Sequence, residues 1–376
     1  MPAEPDILII AASETDSNLY YATRFLAPDA FIFLRVKGKK ILLMSDLEVD
    51  RARATATVDT VLSYSEYEER VNRRGVTTSR MMDVVDELLR ERGITRLLVP
   101  ENFGFEHARQ LQARGYELST KREPFFEERA IKTAAEVGHI EAAQRAVEAA
   151  VQGAIDLLRA ASVRDGLIVY EGEPVTSERI KALINVALME QGCVGQHTII
   201  AGGSQACDPH HEGTGPLRAD EPIVMDVFPR NTTTRYYADM SRTVLKGRPS
   251  PGMKRLYETV LAAQEEAIAA VRDGADGQQI HAQVVRRFEE AGFKTGLMQG
   301  RMQGFFHGTG HGVGIDIHEA PRISKSGSPL QVGHVVTVEP GLYYPEVGAA
   351  RIEDMVLVTA DGCRNLTCFP KVLGIE

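Results

Sequence analysis

Ile223-Val-Met-Asp-Val-Phe228 and Val335-Val-Thr-Val-Glu339 are apolar, β-branched runs that each carry one acid. Their composition makes them strands. A carboxylate inside such a run is costly to bury unless a positive charge compensates it. Each acid has a downstream partner, Asp239 and Glu353, in strand-like stretches over 236–245 and 351–358. Asp226 and Asp239 are equidistant from a point between Thr232 and Thr233, in the polar run Arg230-Asn-Thr-Thr-Thr-Arg235. Glu339 and Glu353 are centred on Glu346, in Tyr344-Pro-Glu-Val-Gly348. If both runs turn as hairpins, each pair stands opposed on adjacent strands, with Cβ atoms about 4.5–5.5 Å apart. Like charges that close repel in a low-dielectric site. Two divalent cations, about 3.5–4 Å apart, would relieve them.

Between the pairs lies His307-Gly-Thr-Gly-His-Gly-Val-Gly314. Its glycines let the backbone bring an imidazole close, so His311 is the natural fifth ligand. The run is not a phosphate loop, because the third glycine and a following Gly-Lys-Ser/Thr are missing. Nor is it His-Glu-x-x-His, since Gly308 stands where that glutamate would be. Four oxygen donors and one nitrogen form a mostly hard set, favouring Mn²⁺, with Co²⁺, Fe²⁺ or Zn²⁺ feasible. A dinuclear metallohydrolase is the reading these residues give.

The rest of the chain frames that site. Its 376 residues exceed one ordinary core, so two domains are expected. The net charge of -9, without any basic block, argues against nucleic acid as a partner. No apolar run approaches the ~20 residues of a membrane span. The acidic start of Met1-Pro-Ala-Glu-Pro-Asp-Ile-Leu-Ile-Ile10 is unlike a signal peptide. Cys193, Cys207, Cys363 and Cys368 show no Cys-x-x-Cys spacing and read as free, mostly buried thiols of a cytoplasmic protein.

Strands are expected over 7–11, 30–36, 40–44 and 95–99, with a hairpin at Lys37-Gly-Lys39 and an amphipathic helix over 81–92. This first region lacks a cluster of catalytic groups. A boundary is placed in the charged stretch 119–129, giving domains 1–124 and 125–376. Beyond it the order helix–helix–strands with two acids occurs twice: helices over 132–161 and 177–190, then 253–272 and 277–290. That is a weak internal repeat. The fold class is therefore α/β (α+β), a small N-terminal domain followed by a pseudo-two-fold C-terminal domain.

Gly310-His-Gly-Val-Gly-Ile-Asp-Ile-His-Glu-Ala-Pro321, Thr337-Val-Glu-Pro-Gly-Leu-Tyr343, Arg351-Ile-Glu-Asp354 and Ala238-Asp-Met-Ser-Arg-Thr243 resemble the signatures of the pita-bread metallopeptidases. The resemblance is to their proline-specific branch, prolidase (Xaa-Pro dipeptidase) and aminopeptidase P. Asn18-Leu-Tyr-Tyr-Ala-Thr-Arg-Phe25 is similar to that branch's creatinase-type N-terminal domain, so the likeness covers nearly the whole chain. It implies Asp226, Asp239, His311, Glu339 and Glu353 as metal ligands, the set the spacing suggests, with Asp239 and Glu353 bridging. It implies catalytic roles for His318 and His210, and substrate-side roles for His307 and Arg351. Arg351 also reads as a partner of the site carboxylates. The Asp226–Asp239 interval is two residues longer than the family's usual spacing. His210 is one residue closer to Asp226 than usual, which leaves His211 as the rival.

The implied reaction is hydrolysis of Xaa-Pro bonds by a metal-bridged hydroxide, with Glu339 as general base and protonated His318 stabilising the oxyanion. A prolidase-like dipeptidase is preferred over aminopeptidase P because the N-terminal domain is compact. Proline-containing dipeptides or short peptides are the expected partners, with a homodimer the state common in the family and no membrane. A methionine aminopeptidase, a metal-free creatinase-like hydrolase and a non-catalytic binding module are disfavoured by the N-terminal region or the intact acids.

Overall fold

Thr133, Thr176, Ser250 and Asp276 each stand one residue before a helix and accept a hydrogen bond from a backbone N–H of its first turn. Such caps satisfy donors that the helix itself leaves unpaired, at about 1 kcal/mol each. They start the helices Ala134–Ala160, Ser177–Glu190, Pro251–Ala270 and Gly277–Glu290. Thr133 forms a reciprocal capping box with Glu136, and Pro251 occupies the first turn of its helix, where a missing N–H costs nothing.

The computed structural model describes residues 5–376; the first four residues of the acidic N-terminal start lie outside it. The chain divides into two compact units between Glu127 and Glu128, three residues beyond the expected 124/125 boundary. The first holds a six-stranded sheet in the order Thr60–Ser63, Lys39–Met44, Phe31–Val36, Ile7–Ala11, Arg96–Pro100, Glu117–Lys121. The 36/39 pairing leaves Lys37 and Gly38 as a two-residue hairpin loop, both at positive φ, a turn whose twist suits paired strands. The Met81–Glu91 helix buries Met82, Val84, Val85, Leu88 and Leu89 on one face of this sheet's core.

The second unit carries the repeat. A 27-residue helix and a 14-residue helix precede the antiparallel strands Ile199–Gly202, Ile223–Val227 and Met240–Lys246. A 20-residue helix and a second 14-residue helix precede the sheet Glu319–Ile323, Gly310–Gly312, Val335–Val338, Asp354–Val358. In this half Val336, Val338, Ala350 and Ile352 pack with Leu256, Val260 and Val284 of the helices. Alternation along an extended chain then sends Thr337, Glu339, Arg351 and Glu353 to the opposite face.

The two hairpins differ in register. Gly341–Tyr344 pairs with Gly348–Arg351 and Val335–Val338 with Asp354–Leu357 in one common register, so Glu339 falls opposite Glu353. The ladder is interrupted there, and the Glu353 N–H donates across to the Ser241 carbonyl of the first half, at 3.0 Å. In the first hairpin the expected opposition of Asp226 and Asp239 does not occur. Asp226 pairs with Ser241, and Asp239 lies just ahead of its strand. The connection is no simple turn: Arg230–Asn231 pairs with Cys193–Val194, Arg235 has φ 66°, and the Asn231 side chain caps Thr233 and Thr234. Cys193 and Cys207 are buried thiols, whereas Cys368 is exposed, so "mostly buried" overstates the cysteines.

Candidate metal centre

A cavity of about 690 Å³ in the second unit gathers Asp226, Asp239, His311, Glu339 and Glu353 on its wall. That size suits a small-molecule or short-peptide ligand. One ligating atom each of Asp239, His311 and Glu353 lies within 4.8 Å of the others. Glu339 Oε1 is 3.3 Å and Asp239 Oδ2 3.6 Å from His311 Nε2. His311 Nδ1 donates to the Gly312 carbonyl at 3.1 Å, so in the neutral ring the lone pair sits on Nε2, pointing at the acids. Asp226 lines the same cavity and its charge acts on Asp239, Glu339 and Glu353. Arg351 holds its Oδ2 at 2.5 Å, while its Oδ1 is buried without a hydrogen-bond partner.

Electrostatics make this cluster unstable on protein groups alone. Burial, then the neighbouring acids, pushes the carboxyls of Asp239 and Glu353 well above the usual range. Burial lifts Glu339 to about 7, against the pull of Arg351. Burial and His318 hold His311 down to about 3, a neutral imidazole of the kind metals bind. An orphaned carboxylate oxygen, three crowded acids and a neutral imidazole with its lone pair turned inward are the donor set a divalent cation fits.

The surrounding frame fixes these groups. Ser241 Oγ donates to Glu353 Oε2 at 2.9 Å, and Arg351 Nε donates to the same serine at 3.0 Å. Behind Glu353, on the other face of the strand, Asp354 is fully buried between Arg242 and Lys371, at 2.9 and 2.7 Å. Burial opposes its ionisation, but those two cations outweigh it and hold the carboxyl below its ordinary value. Arg242 also donates to the carbonyls of Ser241, Glu353, Phe369 and Pro370. It therefore clamps the two strands that carry Ser241 and Glu353.

Arg351 is itself buried, and its guanidinium nitrogens are engaged by Asp226, Ser241, Tyr343 and the Pro209 carbonyl. His307 donates from Nδ1 to the Gly308 carbonyl, so its Nε2 accepts from the Tyr343 hydroxyl at 2.8 Å. Burial and Arg351 depress the His307 imidazole to about 3. His210 lines the cavity, while His211 turns into its own loop and accepts the Gly213 N–H at 2.9 Å. His318 lines the cavity edge-on to His311, ring centroids 4.4 Å apart. Burial and Arg322 lower its pKa, which favours the uncharged imidazole.

A charged cavity residue escaped the sequence reading. Arg322 lies directly across the strand pair from His311, lines the same cavity, and has no ion-pair partner among the described residues. Its signal is the pairing of Gly310–Gly312 with Glu319–Ile323, which a bulge between His311 and Gly312 hides from simple counting.

Residues 138–360 match the model of metallopeptidase family M24. The chain belongs to this family. A similar relative is the Xaa-Pro dipeptidase of Pyrococcus furiosus, 32% identical over 241 residues, which are 64% of this chain and 63% of that protein. Among solved structures, an Xaa-Pro dipeptidase from Bacillus anthracis superposes with a TM-score of 0.82 at 23% identity, covering 99% of this chain and 95% of the other. The X-Pro aminopeptidase of Thermotoga maritima superposes with a TM-score of 0.81, also at 23% identity, covering 99% and 97%. The fold is thus that of these two structures over nearly the whole chain. Among the described residues no helix is long and apolar enough to cross a membrane.

Proposed function

We propose that this chain hydrolyses Xaa-Pro dipeptides, with Asp226, Asp239, His311, Glu339 and Glu353 holding two divalent cations, manganese being the best match to the donors. The observation that carries the metal assignment is the buried acid cluster, whose carboxyls are driven toward protonation unless cations lie among them. Bound there, the cations would supply Lewis acidity toward a peptide carbonyl and an acidified water. Creatinase-type N-terminal (1–124) and pita-bread catalytic (125–376) domains are part of the same reading.

The chain's own groups take the remaining tasks. Glu339, whose carboxylate lies at the cavity wall, accepts a proton from the attacking water and returns it to the leaving proline nitrogen. His318 donates an N–H to the carbonyl oxygen as charge develops on it, and His210 flanks the same space. Arg351 sets the position of Asp226, and the Tyr343–His307 pair fixes the wall facing the substrate. Arg322 favours a dipeptidase: an unpaired guanidinium at the cavity, with Ser324 and Ser326 beside it, suits a free proline carboxylate. The Pyrococcus dipeptidase and the acid-rich site support the same reading.

The test is a manganese-supplemented assay that compares Ala-Pro, Ala-Pro-Ala and Met-Ala. Preference for Ala-Pro supports the proposal. Preference for Ala-Pro-Ala makes the protein an aminopeptidase P, and hydrolysis of Met-Ala alone rejects proline specificity.

A further inference from the structure

The ring of His318 makes no hydrogen bond to any described residue, so its direction is set by the loop that carries it. That loop is an excursion: Gly312 pairs with Glu319 across the antiparallel strands, and residues 313–318 bulge between them. Its two ends of interest are both held by cations from a distant stretch of sequence. Arg129 donates to Asp316 Oδ2 at 2.7 Å and to Glu319 Oε2 at 3.0 Å. Lys132 Nζ donates to Glu319 Oε1 at 2.5 Å. The side chains of Arg129, Lys132 and Glu319 are 6%, 1% and 10% exposed.

Two cations here face two carboxylates. The cations are themselves fixed. The Lys132 N–H donates to the Gly333 carbonyl at 2.8 Å, and Ile131 bridges to His334. Gly314 leaves room on the other side, because a Cβ there would lie 2.4 Å from Glu319 Oε1 and push the carboxylate aside. A buried ion cluster is a poor device for stability, since apolar groups of equal volume often serve as well. What it does specify is direction, one residue after His318 and two residues before it.

We propose that Lys132 and Arg129 are positioning residues for His318, acting through the carboxylates of Glu319 and Asp316. The consequence is that turnover depends on residues 129–132, the segment that follows the N-terminal unit in sequence. The inference rests on the proposed peptidase reading.

The test is a double-mutant cycle on the full-length, manganese-loaded protein with Ala-Pro. Lys132→Met lowers kcat about 10- to 100-fold, the scale of a misplaced catalytic group, with bound manganese and KM within about twofold of wild type. Glu319→Gln does the same, and Lys132→Arg restores part of the loss. In a His318→Ala background Lys132→Met has no further effect, because the two act as one unit. A loss of equal factor in both backgrounds, or wild-type kcat in Lys132→Met, overturns the proposal. If Lys132→Met does not fold, Glu319→Gln carries the same cycle. If wild-type protein hydrolyses no Xaa-Pro peptide, the peptidase reading is what fails. The clamp is then read by amide hydrogen exchange over 313–318, which quickens in Lys132→Met or Glu319→Gln; unchanged exchange overturns it.

Discussion

Replacing Arg322 by Met separates the two proline-specific activities. The guanidinium lines the cavity beside His318, has no partner to leave stranded, and is exposed. Removing it should therefore alter folding stability by less than about 0.5 kcal/mol. A charge-assisted hydrogen bond to a carboxylate contributes about 1.5–3 kcal/mol. The exposure of Arg322 places this contact at the lower end, because water and salt screen it. A loss of about 1.4 kcal/mol is a tenfold change. Arg322→Met should accordingly lower kcat/KM for Ala-Pro about tenfold, almost wholly through KM, while Ala-Pro-amide and Ala-Pro-Ala change little. In wild type the Ala-Pro advantage should shrink as salt is raised. The measurement is initial-rate kinetics on the three substrates at two ionic strengths, with manganese content checked in each sample. Equal losses on all three substrates, or none on any, would refute a carboxylate-reading role for Arg322.

Glu353→Ala and Asp239→Ala should each abolish turnover and lower bound metal; normal metal content by elemental analysis, with normal rates, rejects the ligand assignment. His318→Ala should keep the metal and lose about 10²–10⁴ in kcat, and an unchanged rate removes it from the chemistry. Arg242→Met removes one of the two cations from Asp354 in the core, leaving Lys371 and the Asn365 amide against it, and should destabilise the protein by about 3 kcal/mol; a melting temperature equal to wild type contradicts the clamp. His334 is held neutral, its pKa lowered to about 4 by burial and then by Lys132, against Asp273. The unfolded chain takes up that proton near pH 6.5, so stability is present above about 6.5 and is lost as pH falls toward 4. His334→Gln, melted in chelator, should show a flatter dependence across that window, and an identical profile rules the group out.

Much of the second acid pair was legible because its geometry is local. Glu339 and Glu353 share the register of one hairpin, so counting outward from Glu346 finds them opposed. The same arithmetic misplaced Asp226 against Asp239, because residues 228–239 spend their backbone on other partners and shift the pairing. Helix limits were close where a cap announces them, as at Thr176 and Asp276. The strand expected from residue 236 starts instead at Met240, since Tyr236 and Tyr237 bond within the connection and to Gly314. Arg322 and the Arg129–Lys132 cluster were invisible for a different reason. Their partners lie across a bulged strand pair or 187 residues away, and no periodicity encodes such distances.

The Glu353 amide reaches over to Ser241, and the Ser241 hydroxyl returns to the Glu353 carboxylate. This seam stitches the repeats together at the very atoms that would grip the ions. Calorimetry should thus register ion loss and collapse of the catalytic half as a single event. A chain cut down to one repeat would divide the donor set, Asp226 and Asp239 from His311, Glu339 and Glu353.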